Sequence, residues 1–436
     1  MSSQRVHVVP DPIAGKIELP PWLVKIKEEP AVRRMLFIRQ LGLKAYIDFP
    51  GAIHTRYSHA LGVMYLAKKI NSLLIYKMSE KNKRVIEKNL KTNEEELIAA
   101  GFLHDIAHGP FSHAVDYAMK EISGKSHEDL AEDIILNALP SDLGNWIDKN
   151  QVIKLVQGKH DYPFLSQIIS GPLDIDKLDY LLRDAYHVGL KYSFDLDYFL
   201  SSYNILGDEE CLNKCKLGLE DSQQAIVTTE LFLVIWKSMY DLVYHVQDSR
   251  IAEKMLEKAI LLNKTDSKII DRFKDTKKFL ELNDDELLNV LTNIGGKSAE
   301  LVANIKAGKV YNALFDEELD QEHFQMSPEF VQGLKKTEKS NELSDKISKQ
   351  FNEQHNKTEY EYICDIITSK APSEIQIDKQ DVETGEYIEL RKKSSIVGAI
   401  QSRSRIKIYS DPKIKDPVQQ EIINTTLKQI IEGIKI

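Results

Sequence analysis

The chain has 436 residues, 42% hydrophobic and 29% charged, which is enough apolar material for a sizeable core and argues against a disordered ground state. Its 58 Lys and Arg against 67 Asp and Glu leave a net charge of −9, which disfavours a DNA-coating or membrane-surface protein, because holding a polyanion relies on a basic field. Three cysteines (Cys211, Cys215, Cys364), no signal-like N-terminus and no apolar run near the roughly 20 residues of a membrane span lead us to expect a soluble, cytoplasmic protein.

In chain order, Asp11 to Pro20 reads as turn-rich, with a short strand or hairpin. Helical spacing begins at Trp22 and runs through Leu36, Gln40 and Leu41 to Gly42. A Phe-Pro-Gly-Ala loop at 49–52 precedes a helix starting near Arg56 that stacks His59, Val63, Leu66, Ala67 and Ile70. Further helices are predicted at 94–108, 126–138, 151–157, 165–169 and 174–186. The stretch 203–225 reads as a polar loop, 226–263 as one long helical pattern, and 268–306 as helices broken at Gly295-Gly296. A polar run from Lys335 to Lys357 reads as a solvated helix or linker. Beyond it, Glu374–Ile377, Tyr387–Leu390 and Arg405–Tyr409 look like strands, with a last helix from Pro417. The expected fold is mainly α: a helical core over 1–325, its motifs concentrated in 50–190, and a small C-terminal α+β module over 326–436.

Six of the 12 His (His54, His59, His104, His108, His113, His127) crowd one window where an even scatter would give about two. His104 and Asp105 sit in Gly-Phe-Leu-His-Asp-Ile-Ala-His-Gly-Pro, an apolar stretch in which buried His and Asp must be paired or bind a metal. His59 lies among apolar residues three positions after Arg56. Asp176, Tyr180 and Asp184 follow i, i+4, i+8 and share a helix face. Three separate helices can therefore offer His59, His104, Asp105 and Asp176 to one first-row divalent ion (Mn, Fe, Ni or Zn), leaving positions open for water and substrate oxygens.

Phe-Pro-Gly-Ala-x-His-x-Arg-x-x-His-x-Leu-Gly-Val, then His-Asp-x-x-His-Gly-Pro-Phe-Ser-His, then Asp-x-Asp-Lys-x-Asp-Tyr-x-x-Arg-Asp resembles the HD-domain deoxynucleoside triphosphate triphosphohydrolases, a dGTPase and dNTPase family. The resemblance is dense from about Asp11 to Gly189 and thinner to about 320. It implies an HD-domain helical core and metal-dependent cleavage of a dNTP to deoxynucleoside and tripolyphosphate in control of dNTP pools. It also implies His59, His104, Asp105 and Asp176 as metal ligands. His113 and His127 would stand beside the scissile phosphate, one of them protonating the departing 5′ oxygen, with Asp116 orienting the imidazole. Arg56, His108 and Lys177 would contact phosphates, and Mg could accompany the nucleotide. Gln40, Tyr180 and Asp184 would read the sugar, an aromatic edge excluding a 2′-OH, and Tyr244 would wall the sugar and base.

The chain departs from that pattern in places. Trp236 stands where the family has a phosphate-gripping Arg, so that grip is either altered or supplied from elsewhere, for example by Lys237, and Val246-Gln247 replace a His-Lys pair. At the family's activator site stand Glu28, Arg33 and Leu36, which argues against GTP-specific activation, while Arg33 and Arg34 could still bind some other phosphate. His54 is read either as a loop cap or a substrate contact. His160, His187 and His245 are read as surface or structural, Cys211 and Cys215 as packing or loop residues, and Trp236 with Phe232 and Met239 as core or subunit interface. Members of this family commonly form homodimers or homotetramers. The alternatives weighed are an HD phosphohydrolase acting on monophosphates or alarmones, and a nucleotide- or nucleic-acid-binding regulator with little turnover; the −9 charge disfavours nucleic acid.

Overall fold

The N-terminal hairpin is held by one carboxylate. The backbone N–H groups of Ile13 and Ala14 donate to Asp11 Oδ1 at 2.9 and 2.8 Å, turning strand β1 (Val8–Asp11) back into antiparallel β2 (Gly15–Glu18). This computed structural model describes residues 7–319, 324, 337–369, 375–380, 387–401 and 403–433.

Behind the hairpin the chain is mainly α-helical, as its periodicity predicts. Helix Arg56–Glu80 starts at a capping box, Thr55 accepting from Ser58 N and Ser58 from Thr55 N, which fixes the first turn that carries Arg56 and His59. Helix Glu94–Leu103 lies against it so closely that a Cβ on Gly101 would stand 3.1 Å from Val63 O. Helix Ile175–Val188, capped by Asp174, packs across the same long helix and completes the frame of the site.

Four readings of the sequence need correction. The predicted 94–108 helix ends at Leu103. His104 Nδ1 takes Gly101 O at 2.9 Å, the carbonyl that the Asp105 N–H would use in a continuing helix, and tight turns follow, with Ile106 N on Leu103 O and His108 N on Asp105 O. The predicted loop at 203–225 contains strands β3 (Tyr203–Leu206) and β4 (Lys216–Leu219), each too short to display a two-residue period. The 226–263 pattern divides into Gln223–Met239, a π-helical turn Tyr240–Tyr244, and Gln247–Leu261. The polar run is a helix, Thr337–Gln354, whose Ser340, Ser344, Ser348 and Asn352 are buried rather than solvated.

In the C-terminal region β5 (Asn312–Glu318) and β6 (Tyr362–Ser369) flank β9 (Arg403–Ser410) in an antiparallel sheet. Helices Thr337–Gln354 and Gln420–Gly433 cover it, enclosing a second apolar cluster around Phe351, Ile366, Ile406 and Leu427. Strands β7 (Gln376–Gln380) and β8 (Tyr387–Glu389) extend the β3–β4 pair, β7 lying parallel to β4 at Leu219 and Ile377. The small α+β character of the tail is as predicted. The expected boundary at 325–326, Lys335 and Lys336 and the Glu374 start of a predicted strand lie outside the described residues.

Candidate active site

The frame brings His59, His104, Asp105 and Asp176 together. His59 Nε2 lies 3.0 Å from Asp176 Oδ1 and 3.6 Å from Asp105 Oδ2; His104 Nε2 lies 3.4 Å from Asp105 Oδ1 and 3.6 Å from Asp176 Oδ1. The His59 Nδ1–H is engaged by Asp179 Oδ2 at 2.8 Å and that of His104 by Gly101 O, so both Nε2 atoms face inward as lone pairs toward carboxylate oxygens. Among the described residues both Nε2 atoms are buried and make no hydrogen bond of acceptable geometry. Lone pairs aimed at carboxylates in a desolvated pocket repel unless a cation or proton intervenes. His59, His104 and Asp176 therefore form a group of donors that could hold a metal ion, with Asp105 beside the two imidazoles. With protons alone in the site, burial opposes the charge on His59, but Asp176 and Asp179 outweigh it and raise its pKa to about 10.

Asp105 is pinned from two sides, by Arg56 Nη1 at 2.5 Å and by His108 Nε2 at 3.0 Å. Arg56 also donates from Nε to Ser112 Oγ at 2.9 Å, so a resemblance-implied phosphate contact already serves to hold Asp105. Burial, reinforced by Arg56, lowers the His108 pKa to about 3 and keeps it neutral. Its Nδ1 is another buried atom without a partner, 4.0 Å from Asp116 Oδ1, which is also unpartnered.

His113 and His127 converge on His108. The His127 ring stacks on His108 at 5.1 Å and His113 meets it edge-on at 4.9 Å. Asp116 Oδ2 takes His113 Nδ1 at 2.9 Å, leaving Nε2 of an exposed imidazole facing out. Burial favours a protonated Asp116, but His113, His108 and His127 more than offset it and keep the carboxylate well below its usual range.

A third group lies beside the first two. The buried Asp184 accepts from Tyr244 Oη at 2.8 Å and pairs with His54 Nε2 at 2.6 Å, and His187 stacks on His54 at 4.2 Å. Tyr180 meets Tyr244 edge-on at 6.0 Å, and the π-helical turn presents Tyr240 against the same ring at 5.0 Å. Gln40, buried, carries an unpartnered Oε1. Lys177 Nζ is held by Asp174 at 2.5 Å and Gly171 O at 3.0 Å. Trp236 is buried beside Tyr240 as core, and Lys237 is paired with Asp241, so the substitute grip suggested for Lys237 is already engaged. Arg33 pairs with Glu28 on the surface, whereas Arg34 is turned inward onto Leu282 O and the Phe279 ring and presents no surface cation.

Sequence reasoning missed the support behind the candidate ligands. Asp179 is bonded by Arg183 Nε and Nη2 at 2.8 and 2.9 Å, and Arg183 by Asp11 at 2.7 Å, giving a buried chain His59–Asp179–Arg183–Asp11. Gly62 admits it, because a Cβ there would stand 1.8 Å from Asp179 Oδ1. The motif contains Asp179 and Arg183 at i, i+4, but nothing in the spacing says which face they serve. Also unread was the turn before His113, where Phe111 and Ser112 adopt φ of 57° and 54°. Left-handed backbone costs a side-chain-bearing residue about 1–2 kcal/mol, so this turn must be held by its surroundings.

Residues 56–184 match the HD domain family and residues 215–429 the HD associated region. The chain is 32% identical over 287 residues to an uncharacterised protein of Methanocaldococcus jannaschii, covering 66% of this chain and 55% of that one. It is 28% identical over 326 residues to the deoxynucleoside triphosphate triphosphohydrolase SAMHD1 homolog of Dictyostelium discoideum, covering 71% of this chain and 60% of the relative. Against deoxynucleoside triphosphate triphosphohydrolase SAMHD1 of Homo sapiens the identity is 28% over 348 residues, covering 71% of this chain and 50% of that one. The chain thus spans 50–60% of the length of these three relatives. Among solved structures, a hypothetical protein from Aquifex aeolicus superposes with a TM-score of 0.71 at 24% identity, over 97% of this chain and 100% of that one. A phosphohydrolase from Bacteroides thetaiotaomicron gives 0.67 at 21%, over 93% and 100%. These two establish a likeness of fold.

Proposed function

Because the chain belongs to the HD-domain family and carries the HD associated region behind the domain, we propose that it is a metal-dependent phosphohydrolase that cleaves deoxynucleoside triphosphates to deoxynucleoside and tripolyphosphate. The observation that carries the metal reading is the pair of orphaned Nε2 atoms of His59 and His104 aimed at Asp105 and Asp176. On this reading those four residues hold Mn, Fe, Ni or Zn. Such an ion, when bound, supplies a polarised phosphoryl oxygen and an acidified water.

The chain's own groups do the rest. Asp179 and Gly101 O fix which nitrogen each ligand imidazole presents. Asp116 holds the His113 Nδ1–H and aims Nε2 outward, and from the doubly protonated ring the Nε2–H passes to the leaving 5′ oxygen, returning the imidazole to its neutral form, with His127 alongside. Arg56, Lys177 and the neutral His108 line the phosphate path, and Mg travels with the nucleotide. Gln40 Oε1, Tyr180, Tyr244 and Asp184 read the sugar, the two tyrosines closing the space a 2′-OH would need. We further propose a cytoplasmic homodimer or homotetramer, open to an allosteric nucleotide other than GTP.

The test incubates the metal-loaded chain with each of the four dNTPs, with and without a second nucleotide, and separately with GTP, nucleoside monophosphates and an alarmone, and identifies the phosphate product. Tripolyphosphate, with GTP turned over far more slowly than dGTP, is the expected result. Equal GTP and dGTP rates would remove the sugar reading; turnover of monophosphates or alarmones without dNTP cleavage would replace the substrate class.

A further inference from the structure

The turn that delivers Ser112 and His113 is held by a residue far along the chain. Asp284 opens helix Asp284–Ile294, whose N-cap is Asn283, and the residue is 2% exposed. Oδ1 accepts the Phe111 N–H at 2.7 Å and Oδ2 the Arg39 N–H at 3.0 Å. One carboxylate thus clamps two segments. The first contains Arg39 and Gln40, the Arg39 carbonyl accepting from Ser112 Oγ at 3.0 Å. The second is the left-handed Phe111–Ser112 pair, whose Ser112 Oγ accepts from Arg56 Nε, while Arg56 holds Asp105. Gly42, at φ 52°, lets the segments approach: a Cβ there would stand 2.8 Å from Phe111 O. The Arg39 guanidinium lies 4.0 Å from Asp284 Oδ2 and stacks on Tyr46.

We propose that Asp284 is a positioning residue: from the HD associated region it locks the Phe111–Ser112 turn and the Arg39–Gln40 segment together, and so sets Ser112, Arg56 and His113 for phosphate chemistry. This rests on the phosphohydrolase reading for the reaction it serves. Its physical logic is that two buried N–H donors on separate segments need a group with two acceptor atoms. An amide in its place offers one acceptor and turns its NH2 toward the other N–H, while a carboxylate satisfies both. The same carboxylate is desolvated: burial raises its pKa to about 6, and the Arg39 and Phe111 N–H bonds oppose that rise.

The experiment compares the metal-loaded full chain with Asp284→Asn, Ser112→Ala and the double variant. In the unaltered chain the Arg39 and Phe111 amides should resist hydrogen exchange. In Asp284→Asn at least one of those two amides should lose protection ahead of its surroundings, metal content should be retained, and kcat should fall about 10- to 100-fold with a smaller change in KM. Ser112→Ala should give a similar split, and the double variant should lose less than the product of the two single losses, because both act through one turn. Unprotected Arg39 and Phe111 amides in the unaltered chain, full protection retained in Asp284→Asn, or multiplicative losses would overturn the proposal. Should Asp284→Asn fail to fold, the amides of the unaltered chain and the Ser112→Ala kinetics still decide it. Exchange and metal content are read without substrate, so a chain that cleaves no dNTP would sink the function reading alone.

Discussion

His59 can act as a ligand because of what stands behind its Nδ1. Asp179 orients the ring, Arg183 keeps Asp179 ionised against its burial, and Asp11 on the N-terminal hairpin balances Arg183. Replacing Asp179 by Asn keeps an acceptor but removes the charge that raises the basicity of the imidazole. We expect metal affinity to fall about 10- to 100-fold, with helical circular dichroism unchanged, read by metal titration of the apo chain. Unchanged affinity would show that the ring is oriented without it. The candidate ligands themselves were legible in sequence, because His and Asp set in apolar stretches demand an explanation. Asp179 was not, because on a helix two residues three apart, Asp176 and Asp179, can point into the site or behind it, and only packing across Gly62 separates the two.

At the scale of elements, helix Thr337–Gln354 does the work of a strand. Ser344 Oγ, Ser348 Oγ and Asn352 Oδ1 accept from the backbone N–H groups of Ile366, Cys364 and Tyr362 at 2.9, 2.7 and 3.0 Å. Four residues of helix rise about 6 Å and two residues of strand about 6.6 Å, so every fourth side chain meets every second edge amide of β6. The polar residues thus cap a sheet edge that would otherwise invite pairing with another chain. Ser344→Ala with Ser348→Ala should cost about 1–3 kcal/mol per orphaned amide and promote aggregation, measured by chemical unfolding and light scattering. An unfolding midpoint that does not move would show that water replaces the hydroxyls. A polar run that lines a strand edge has the same composition as one facing solvent, which is why the sequence suggested a solvated helix or linker.

Across the whole molecule, the C-terminal sheet is tied to the helical core by charge. Asp365 on β6 is fully buried and receives Arg250 Nη2 at 2.7 Å and Nε at 3.2 Å from helix Gln247–Leu261, which follows the π-helical turn bearing Tyr244. Burial opposes ionisation of Asp365, but Arg250 and Lys254 overcome it and hold the carboxyl below its ordinary value of 3.8. The unfolded chain therefore takes up this proton at higher pH than the folded one, so the stability from the pair is present above 3.8 and is lost as pH falls below it. Arg250→Ala should destabilise by about 3–5 kcal/mol at neutral pH, because it strands a buried charge, and that loss should shrink toward low pH in urea unfolding. A pH-independent loss would assign the effect to packing instead.

The amino-acid sequence by itself determined the mainly helical class, the four candidate metal donors and the histidines beside them, because residue chemistry and the 3.6-residue period are local properties. Tertiary structure alone decided which carboxylate stands behind a ligand, where the 94–103 helix stops, which strands cross from the tail into the β3–β4 sheet, and that Asp284 reaches Arg39 and Phe111 across 245 and 173 residues. Those are pairings between distant segments, and a buried donor finds its acceptor by proximity in space rather than by spacing along the chain.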